Sequence, residues 1–267
     1  MAVSGDNSGD RSRDGPQWLL LNASPDLRVQ IASFPDLLPK DLARGSAVAS
    51  VLLTDAELDH VTGLLSLRET QPIQLHCTRR VFDWVFESNP IFGALTTSGR
   101  FRWSEIENRK RESCRDTSLS YEAIFVEGKV PTYVRTPFDS LAGATVAYKI
   151  NDCSSGASIL YVPAIKHISE ELISVASQCD CIMFDGSFWS EDEMERRGVG
   201  SRTASAMGHV PIDGPDGSLA RLSHLRVRKV YTHVNNTNPI LDEISPERRA
   251  VEQAGWEVAE DGMDFML

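Results

Sequence analysis

The amino-acid sequence predicts a layered α/β protein, with β-sheet inside and helices outside. Strand-like apolar runs and helix-like segments alternate through much of the 267-residue chain, which is typical of this class. Ionisable side chains also follow directly after three of the apolar runs: Asp55, Glu57, Asp59 and His60 after one, Asp185 after another, and His233 after a third. Ligands in layered α/β proteins bind where such strand ends meet. The same observations therefore predict a functional site there.

The first half of the chain reads as three strands, each followed by a helix. The predicted strands are residues 17–24, 46–54 and 72–78, and the predicted helices are residues 24–34, 60–69 and 79–88. In the first helix, Ser24 is the expected N-cap and Pro25 the first helical residue, as both residue types favour those positions. Residues 98–120 are polar and charged, and we predict a surface excursion there.

The second half continues the pattern after a hairpin-rich middle. We predict strands in residues 120–128, 144–151, 157–165, 180–189 and 227–232, and helices in residues 169–179 and 245–255 with a final strand after Gly255. Ser169 is the expected N-cap of the first of these helices, since two glutamates follow it. Residues 17–267 are predicted to form one domain. Residues 1–16 are rich in Gly, Ser, Asp and Arg, and we predict a flexible or truncated N-terminal segment.

Composition narrows the possible partners and the compartment. The formal net charge is −11, which argues against nucleic acid, because phosphate binding requires a basic face. No apolar run approaches the roughly 18 residues of a membrane span, and no signal peptide is visible at the start, so we expect a cytoplasmic protein without a membrane partner. The five cysteines are scattered, and free thiols in a reducing cytosol are the expected state.

Aspartate and histidine on separate strand ends are also the ligand types of a divalent metal ion. Imidazole with carboxylate suits zinc or iron, and two histidines with one carboxylate suit non-haem Fe(II). Each residue has an ordinary structural alternative: an aspartate at a strand end often caps a turn or helix, and a single histidine is often hydrogen-bonded in the core. The residues alone leave both interpretations open.

Several stretches carry a family resemblance. Residues 52–69, LLTDAELDHVTGLLSLRE, resemble the signature region of the metallo-β-lactamase superfamily, whose usual form is THxHxDH. Residues 21–28, 184–194, 207–218 and 233–263 resemble the pyrroloquinoline quinone biosynthesis protein B family, and this resemblance runs from about residue 17 to the C-terminus. It implies a metallo-β-lactamase-like four-layer αββα sandwich. We expect the family's first strand to be lacking, because the glycine-rich turn and cysteine-rich segment that normally accompany it have no match.

The resemblance also implies a set of metal ligands. Asp59 and His60 occupy the DH of the signature, Asp185 falls at the metal-bridging carboxylate, and His233 falls at the final histidine ligand. Asp55 and Glu57 replace the two preceding histidines. One divalent ion is therefore expected rather than the metal pair with which hydrolases of this superfamily activate water, and a zinc hydrolase is the weakest functional prediction.

Three residues are predicted to support catalysis. His209 resembles a superfamily position near the metal, where an imidazole can donate to bound oxygen or substrate; the alternative is a buried structural histidine. Asp55 and Glu57 can orient His60 or a bound water, or they are solvated loop charges. Asn235, Asn236 and Arg202 are predicted to bind substrate carboxylates. The alternative for the two asparagines is a turn, and the alternative for Arg202 is an exposed position on the surface.

The implied function is a step in pyrroloquinoline quinone (PQQ) synthesis. The resemblance implies iron-dependent hydroxylation of the tyrosine ring in the cross-linked Glu–Tyr precursor, with Fe(II) as the metal, zinc as the alternative ion, and O₂ as co-substrate. The partner is then a small amino-acid-derived precursor, and a homodimer is left open. The alternative function is a non-catalytic carrier of PQQ or its precursor.

Overall fold

The computed structural model describes residues 1–5, 17–38, 47–67, 72–115, 117–135 and 140–267. Strands in these residues form two sheets. The five-stranded sheet has the order β1-β2-β3-β4-β5, with β1 (Ala2–Val3), β2 (Trp18–Leu21), β3 (Val48–Leu52), β4 (Ile73–Cys77) and β5 (Phe101–Glu105). The seven-stranded sheet has the order β12-β11-β10-β9-β8-β7-β6, with β6 (Arg111–Ser113), β7 (Leu119–Val126), β8 (Thr145–Asp152), β9 (Ser158–Val162), β10 (Cys181–Asp185), β11 (Arg228–Thr232) and β12 (Trp256–Val258).

Short helices connect these strands. The α-helices are α1 (Leu27–Ser33), α2 (Leu58–Val61), α3 (Arg79–Phe82), α4 (Pro90–Thr97), α5 (Glu170–Ala176), α6 (Glu193–Arg196), α7 (Ser218–Arg221) and α8 (Pro246–Gln253). The 3₁₀ turns are Pro35–Leu37, Thr62–Ser66, Ser205–Met207 and Pro239–Leu241, and π-helical residues Asp83–Glu87 continue α3. Within the described ranges, no helix has both the length and the apolar character needed to cross a bilayer.

The two sheets with their helices confirm the predicted mixed α/β fold. The prediction of a surface excursion over residues 98–120 was wrong, since β5 and β6 lie there. In β5, Phe101 and Trp103 alternate with Arg102 and Ser104, and both aromatic residues pack on the core. This period of two is the pattern of a half-buried strand, and the surrounding charges obscured it.

One prediction near the N-terminus also differs from the structure. Helix α1 begins at Leu27, and its N-cap residue is Asp26 rather than Ser24. The Ser24 hydroxyl instead bonds the Gln30 side chain (3.2 Å). Of the segment predicted to be flexible or truncated, residues 1–5 are described and contain β1, which pairs antiparallel with β2. Residues 6–16 lie outside the described residues, and the prediction for the segment stays a prediction.

The described chain divides into two compact units. The first comprises Met1–Phe125, Val130–Val146 and Ile150–Gly156, and the second comprises Val126–Lys129, Ala147–Lys149 and Ala157–Leu267. The single domain over residues 17–267 stays a prediction.

The first unit is built on parallel strands joined by helical connections. Strands β2, β3, β4 and β5 run parallel to one another, and such strands need a crossover connection, usually a helix. Their buried side chains form one apolar cluster with residues from the connecting helices, including Leu20, Val51, Leu75, Val81, Trp84 and Phe101. The parallel arrangement places the carboxyl ends of β2 and β3 side by side.

The second unit follows the same plan. Strands β9, β10, β11 and β12 pair in parallel. Helix α5 begins as predicted, because the Ser169 hydroxyl accepts a hydrogen bond from Leu172 N–H. Tyr231 of β11 and Trp256 of β12 are buried, and their rings stack with centroids 4.0 Å apart. The carboxyl ends of β10 and β11 therefore meet at one edge of this sheet.

Candidate metal centre

Strand register brings Asp185 and His233 together in the second unit. Asp185 ends β10 and pairs with Thr232, the last residue of β11, so that His233 follows directly beside it. Gly186 N–H then donates to Thr232 O (2.8 Å). A Cβ at Gly186 would lie 3.0 Å from Tyr231 Cβ and 3.1 Å from Thr232 O. Glycine is therefore needed for this close approach of the two strand ends.

His209 reaches the same place from a loop. Gly208 has a φ of +86°, a conformation that glycine adopts without cost, and His209 N–H donates to Ala204 O (3.0 Å). Val210 N–H donates to Ile165 O (2.6 Å), which ties the loop to the segment after β9. Ile165 N–H in turn donates to Asp185 Oδ2 (3.1 Å).

Asp185 is fully buried and strongly hydrogen-bonded. Its Oδ2 lies 2.8 Å from His209 Nδ1, and its Oδ1 accepts from the Ser187 hydroxyl (2.6 Å) and Ser187 N–H (3.1 Å). Burial raises the pKa of Asp185, but the neighbouring histidine charges and these hydrogen bonds outweigh it, so the pKa lies below its usual value. The carboxylate is therefore held in its ionised form.

The two histidines and Asp185 form a group suited to a cation. The rings of His209 and His233 stack with centroids 5.4 Å apart. Asp185, His209 and His233 each offer one ligand atom, and these atoms lie within 4.8 Å of one another. The donor set of two imidazoles and one buried carboxylate fits zinc or Fe(II).

The backbone of His233 is unusual. Its φ is +57°, in the left-handed region, which non-glycine residues rarely adopt. Such conformations persist when the surroundings over-determine them, and they cluster at functional sites. The conformation supports a functional interpretation of this loop.

The first unit holds a second polar network, around His60. Asp55 accepts from His60 Nδ1 (2.8 Å) and from Glu57 N–H (2.9 Å) with Oδ1, and from the Thr54 hydroxyl (2.8 Å) with Oδ2. Asn22, at the end of β2, bonds Thr54 twice: its Nδ2 donates to the Thr54 hydroxyl, and its Oδ1 accepts from Thr54 N–H, both at 2.9 Å. The bond from His60 Nδ1 holds one side of the imidazole ring, and the predicted catalytic role of Asp55 stays a prediction.

Burial and charge oppose each other in this pair. Burial raises the pKa of Asp55, but the His60 charge and the hydrogen bonds lower it further, so the net direction is downward. Burial lowers the pKa of His60, but the Asp55 charge and hydrogen bond raise it further, so the net direction is upward. The donation from Nδ1 to the carboxylate leaves the lone pair of a neutral His60 ring on Nε2.

The remaining predicted metal and catalytic residues have different surroundings. Asp59, in α2, is exposed, and Glu57, at the N-cap of α2, is half-buried. Both belong to the first unit, as His60 does. Their predicted roles, and the predicted sharing of one ion by Asp59, His60, Asp185 and His233, stay predictions.

The predicted substrate-binding residues lie in the second unit. Asn235 Nδ2 donates to the Thr237 hydroxyl (2.8 Å), while Asn236 and Arg202 are exposed. Their contact with substrate stays a prediction. Asn238 caps the 3₁₀ turn Pro239–Leu241, because its Oδ1 accepts a hydrogen bond from Ile240 N–H (3.1 Å). Phe188 is buried and packs edge-on against His209, at 5.7 Å between centroids.

Sequence reasoning missed three residues of these networks. Ser187, Asn22 and Thr54 are all buried, and each hydrogen-bonds an ionisable residue or its direct partner. A weak signal was present: all three lie within two residues of a predicted strand end. Short polar residues are so common in turns that this position alone does not reveal them.

Comparison with known proteins places the chain among its relatives. Residues 17–234 match the family model described as the beta-lactamase superfamily domain. The coenzyme PQQ synthesis protein B of Pseudomonas putida is 39% identical over 261 residues, covering 96% of this chain and 86% of that protein. The protein of the same name from Xanthomonas campestris pv. campestris is 41% identical, covering 96% and 85%. The crystal structure of Zn²⁺-bound PqqB from Methylobacterium extorquens has a TM-score of 0.88 at 36% identity, covering 100% of this chain and 86% of that one.

Proposed function

Because the chain belongs to the PQQ synthesis protein B family of the metallo-β-lactamase superfamily, we propose that it acts in the biosynthesis of pyrroloquinoline quinone. The step is metal-dependent hydroxylation of the tyrosine ring in a cross-linked Glu–Tyr precursor. Fe(II) is the proposed ion and O₂ the co-substrate. One oxygen atom enters the ring, and the other leaves as water with two electrons from a reductant of the ascorbate class.

The observation that carries this proposal is the group of Asp185, His209 and His233, whose ligand atoms lie within 4.8 Å. Two histidines with one carboxylate and open positions are the ligand type of non-haem Fe(II) oxygenases. When bound there, the ion would supply the activation of O₂. The relative from Methylobacterium extorquens is a zinc-bound protein, which supports a divalent metal and makes zinc the ion to test beside iron.

The chain's own residues support the chemistry in three ways. Asp55 holds the His60 ring through Nδ1, and Asp185, whose Oδ2 lies 2.8 Å from His209 Nδ1, would offer its carboxylate to the ion. Phe188 packs against His209, and both side chains are buried. The predicted carboxylate-binding residues Asn235, Asn236 and Arg202 would then orient an amino-acid-derived substrate.

The deciding experiment is reconstitution with Fe(II) under anaerobic conditions, followed by O₂, ascorbate and the cross-linked precursor. We expect about one equivalent of iron and a product heavier by one oxygen atom, which carries ¹⁸O when ¹⁸O₂ is supplied. His209→Ala and His233→Ala should lose both iron and product. His167→Ala and His224→Ala are matched controls, because both histidines are exposed in the same unit.

Other outcomes would identify the alternatives. Tight binding of PQQ or its precursor without turnover would replace the hydroxylase with a carrier. Two equivalents of zinc with hydrolytic activity would instead indicate a zinc hydrolase. Full metal retention in His233→Ala, and likewise in His60→Ala, would overturn the corresponding ligand assignment.

The proposed compartment is the cytoplasm. All five cysteines are free, which is the usual state in a reducing compartment. Fractionation of a producing cell, followed by immunodetection of the protein, tests this assignment directly.

A further inference from the structure

Ser187 is an uncharged residue that lies between the three residues of the candidate metal centre, Asp185, His209 and His233. Its hydroxyl is 2.6 Å from Asp185 Oδ1, 2.8 Å from His233 Nδ1, 3.0 Å from His209 Nδ1 and 3.1 Å from His233 O. The residue is 2% exposed. A hydroxyl has one proton and two lone pairs, so it cannot serve all four neighbours as a donor.

The distances assign the proton of this hydroxyl. The contact with Asp185 Oδ1 is the shortest of the four, and its acceptor is a carboxylate; bonds to ionised acceptors are shorter and stronger than neutral ones. His209 Nδ1 is closer to Asp185 Oδ2 (2.8 Å) than to the hydroxyl, so His209 donates to the carboxylate. The hydroxyl then has a lone pair to offer to His233.

We propose that Ser187 is a positioning residue, which links Asp185 to His233 through its hydroxyl and thereby fixes the orientation of the His233 ring. It donates to Asp185 Oδ1 and accepts from His233 Nδ1–H. Protonation at Nδ1 leaves the lone pair of the neutral His233 ring on Nε2, which becomes the nitrogen that binds the metal ion. Ser187 thereby does for His233 what Asp55 does directly for His60.

A hydroxyl between a carboxylate and an imidazole has a physical advantage at this position. Direct donation from both histidines to Asp185 would require two rings to approach one carboxylate, whose Oδ1 already accepts from Ser187 N–H and whose Oδ2 already accepts from Ile165 N–H. The serine hydroxyl bridges the carboxylate and the second imidazole, so that no direct contact between them is needed. It also fixes the ring at the residue whose backbone is held at a φ of +57°.

The first test reads the tautomer of His233 in metal-free wild-type protein by ¹⁵N NMR, at a pH well above the ordinary imidazole pKa. We expect the proton on Nδ1. A proton on Nε2 would overturn the inference, and this measurement needs no variant to fold. It is also independent of turnover, so it separates the inference from the hydroxylase proposal, on whose metal centre it rests.

The second test measures Zn²⁺ affinity by competition with a chromophoric chelator. Loss of a residue that orients a ligand typically costs about 10–100-fold in metal affinity, and we expect that loss in Ser187→Ala. Ser187→Thr keeps the hydroxyl and should restore affinity to within a few-fold.

The matched control is Ser218→Ala. Ser218 is also fully buried in the second unit, but its hydroxyl bonds Tyr231 Oη (2.9 Å) rather than a histidine. Its removal should lower stability and leave zinc affinity unchanged. Equal zinc affinities in Ser187→Ala and wild type, or an equal loss in Ser218→Ala, would reject the positioning role.

Discussion

The nitrogen that a histidine presents to a metal depends on the partner of its other nitrogen. His60 and His209 both direct Nδ1 to a buried aspartate, at 2.8 Å in each case. Such carboxylate–histidine pairs fix the ring and its tautomer, and they raise the basicity of the ligand. Asp55, which stands where the superfamily signature has a histidine, forms such a pair with His60.

Replacement of Asp55 by asparagine should weaken the first unit. The amide cannot supply the charge that favours protonated His60, and its NH₂ group would compete with the proton on Nδ1. Loss of a buried charged hydrogen-bond partner costs about 1–3 kcal/mol. Urea unfolding of Asp55→Asn at neutral pH should show a lower free energy of unfolding by this amount.

Asp26→Asn is the control for this change, because Asp26 is exposed and makes no side-chain cap bond at α1. It should stay within about 0.5 kcal/mol of wild type. Equal stabilities of the two variants would show that the Asp55 network contributes nothing to folding.

His76 is a buried histidine outside both networks. It is 6% exposed, and its Nδ1 lies 2.9 Å from Tyr121 Oη. Burial lowers the pKa of His76 from 6.5 to about 4, with a smaller opposing effect from Glu112. The ring is therefore neutral at neutral pH, and a structural role in the core is the simplest interpretation of this residue.

This lowered pKa predicts a pH dependence of stability. Between pH 6.5 and about 4 the unfolded chain binds a proton at His76 and the folded chain does not, so the free energy of unfolding falls as the pH falls through this window. The loss over these roughly 2.5 pH units is about 3.5 kcal/mol at about 1.4 kcal/mol per unit. His76→Gln should lack this part of the dependence in urea unfolding at a series of pH values, and parallel curves for the two proteins would contradict the assignment.

At the scale of elements, parallel pairing decides which residues meet. The registers of β2 with β3 and of β10 with β11 place the ends of each pair side by side. The polar residues beyond those ends then become neighbours, although 48 positions separate His233 from Asp185 in the chain. Strand β5 shows the same dependence on tertiary structure. Its alternation is recognisable as a strand pattern only because Phe101 and Trp103 pack on the core.

A methyl group at Gly186 should disturb the junction of β10 and β11. Its Cβ would lie 3.0 Å from Tyr231 Cβ and 3.1 Å from Thr232 O, so the strand ends must move apart. Overpacking of this kind costs about 1–3 kcal/mol, and the shift would carry His233 away from Asp185. Gly186→Ala should therefore lower both the free energy of unfolding and zinc affinity.

Gly200→Ala is the comparison for this variant, because the nearest atom to its Cβ is Met194 Cε at an ordinary 3.5 Å. It should retain zinc affinity. If Gly186→Ala also binds zinc like wild type, the close approach of the strands is unimportant for the site.

At the scale of the whole molecule, a bound metal should stabilise the fold. An ion that binds the native state but not the unfolded chain adds about 2.7 kcal/mol at a free concentration of 100 times Kd. Zinc should therefore raise the Tm of the metal-free protein, and EDTA should reverse the increase. The increase should vanish in His233→Ala and persist in His224→Ala. A Tm that does not respond to zinc or EDTA would argue against a metal centre.

The sequence by itself determined the fold class, most of the strands and helices, and the residue types at the strand ends. These features follow from local patterns: the period of two or 3.6 residues, the helix caps, and the polar residues after apolar runs. The family motifs also identified candidate site residues, which are His60, Asp185, His209 and His233. Local pattern failed at β5 and β6, where charged neighbours masked a short alternation.

Only the tertiary structure decided which of those polar groups bond one another. The pairing of Asp55 with His60, the place of Ser187 between Asp185 and His233, and the meeting of His209 with Asp185 depend on strand register and loop path. Hydrogen bonds act over about 3 Å, whereas sequence patterns report only the burial and periodicity of single elements. The partner of each imidazole is therefore a property of the folded chain.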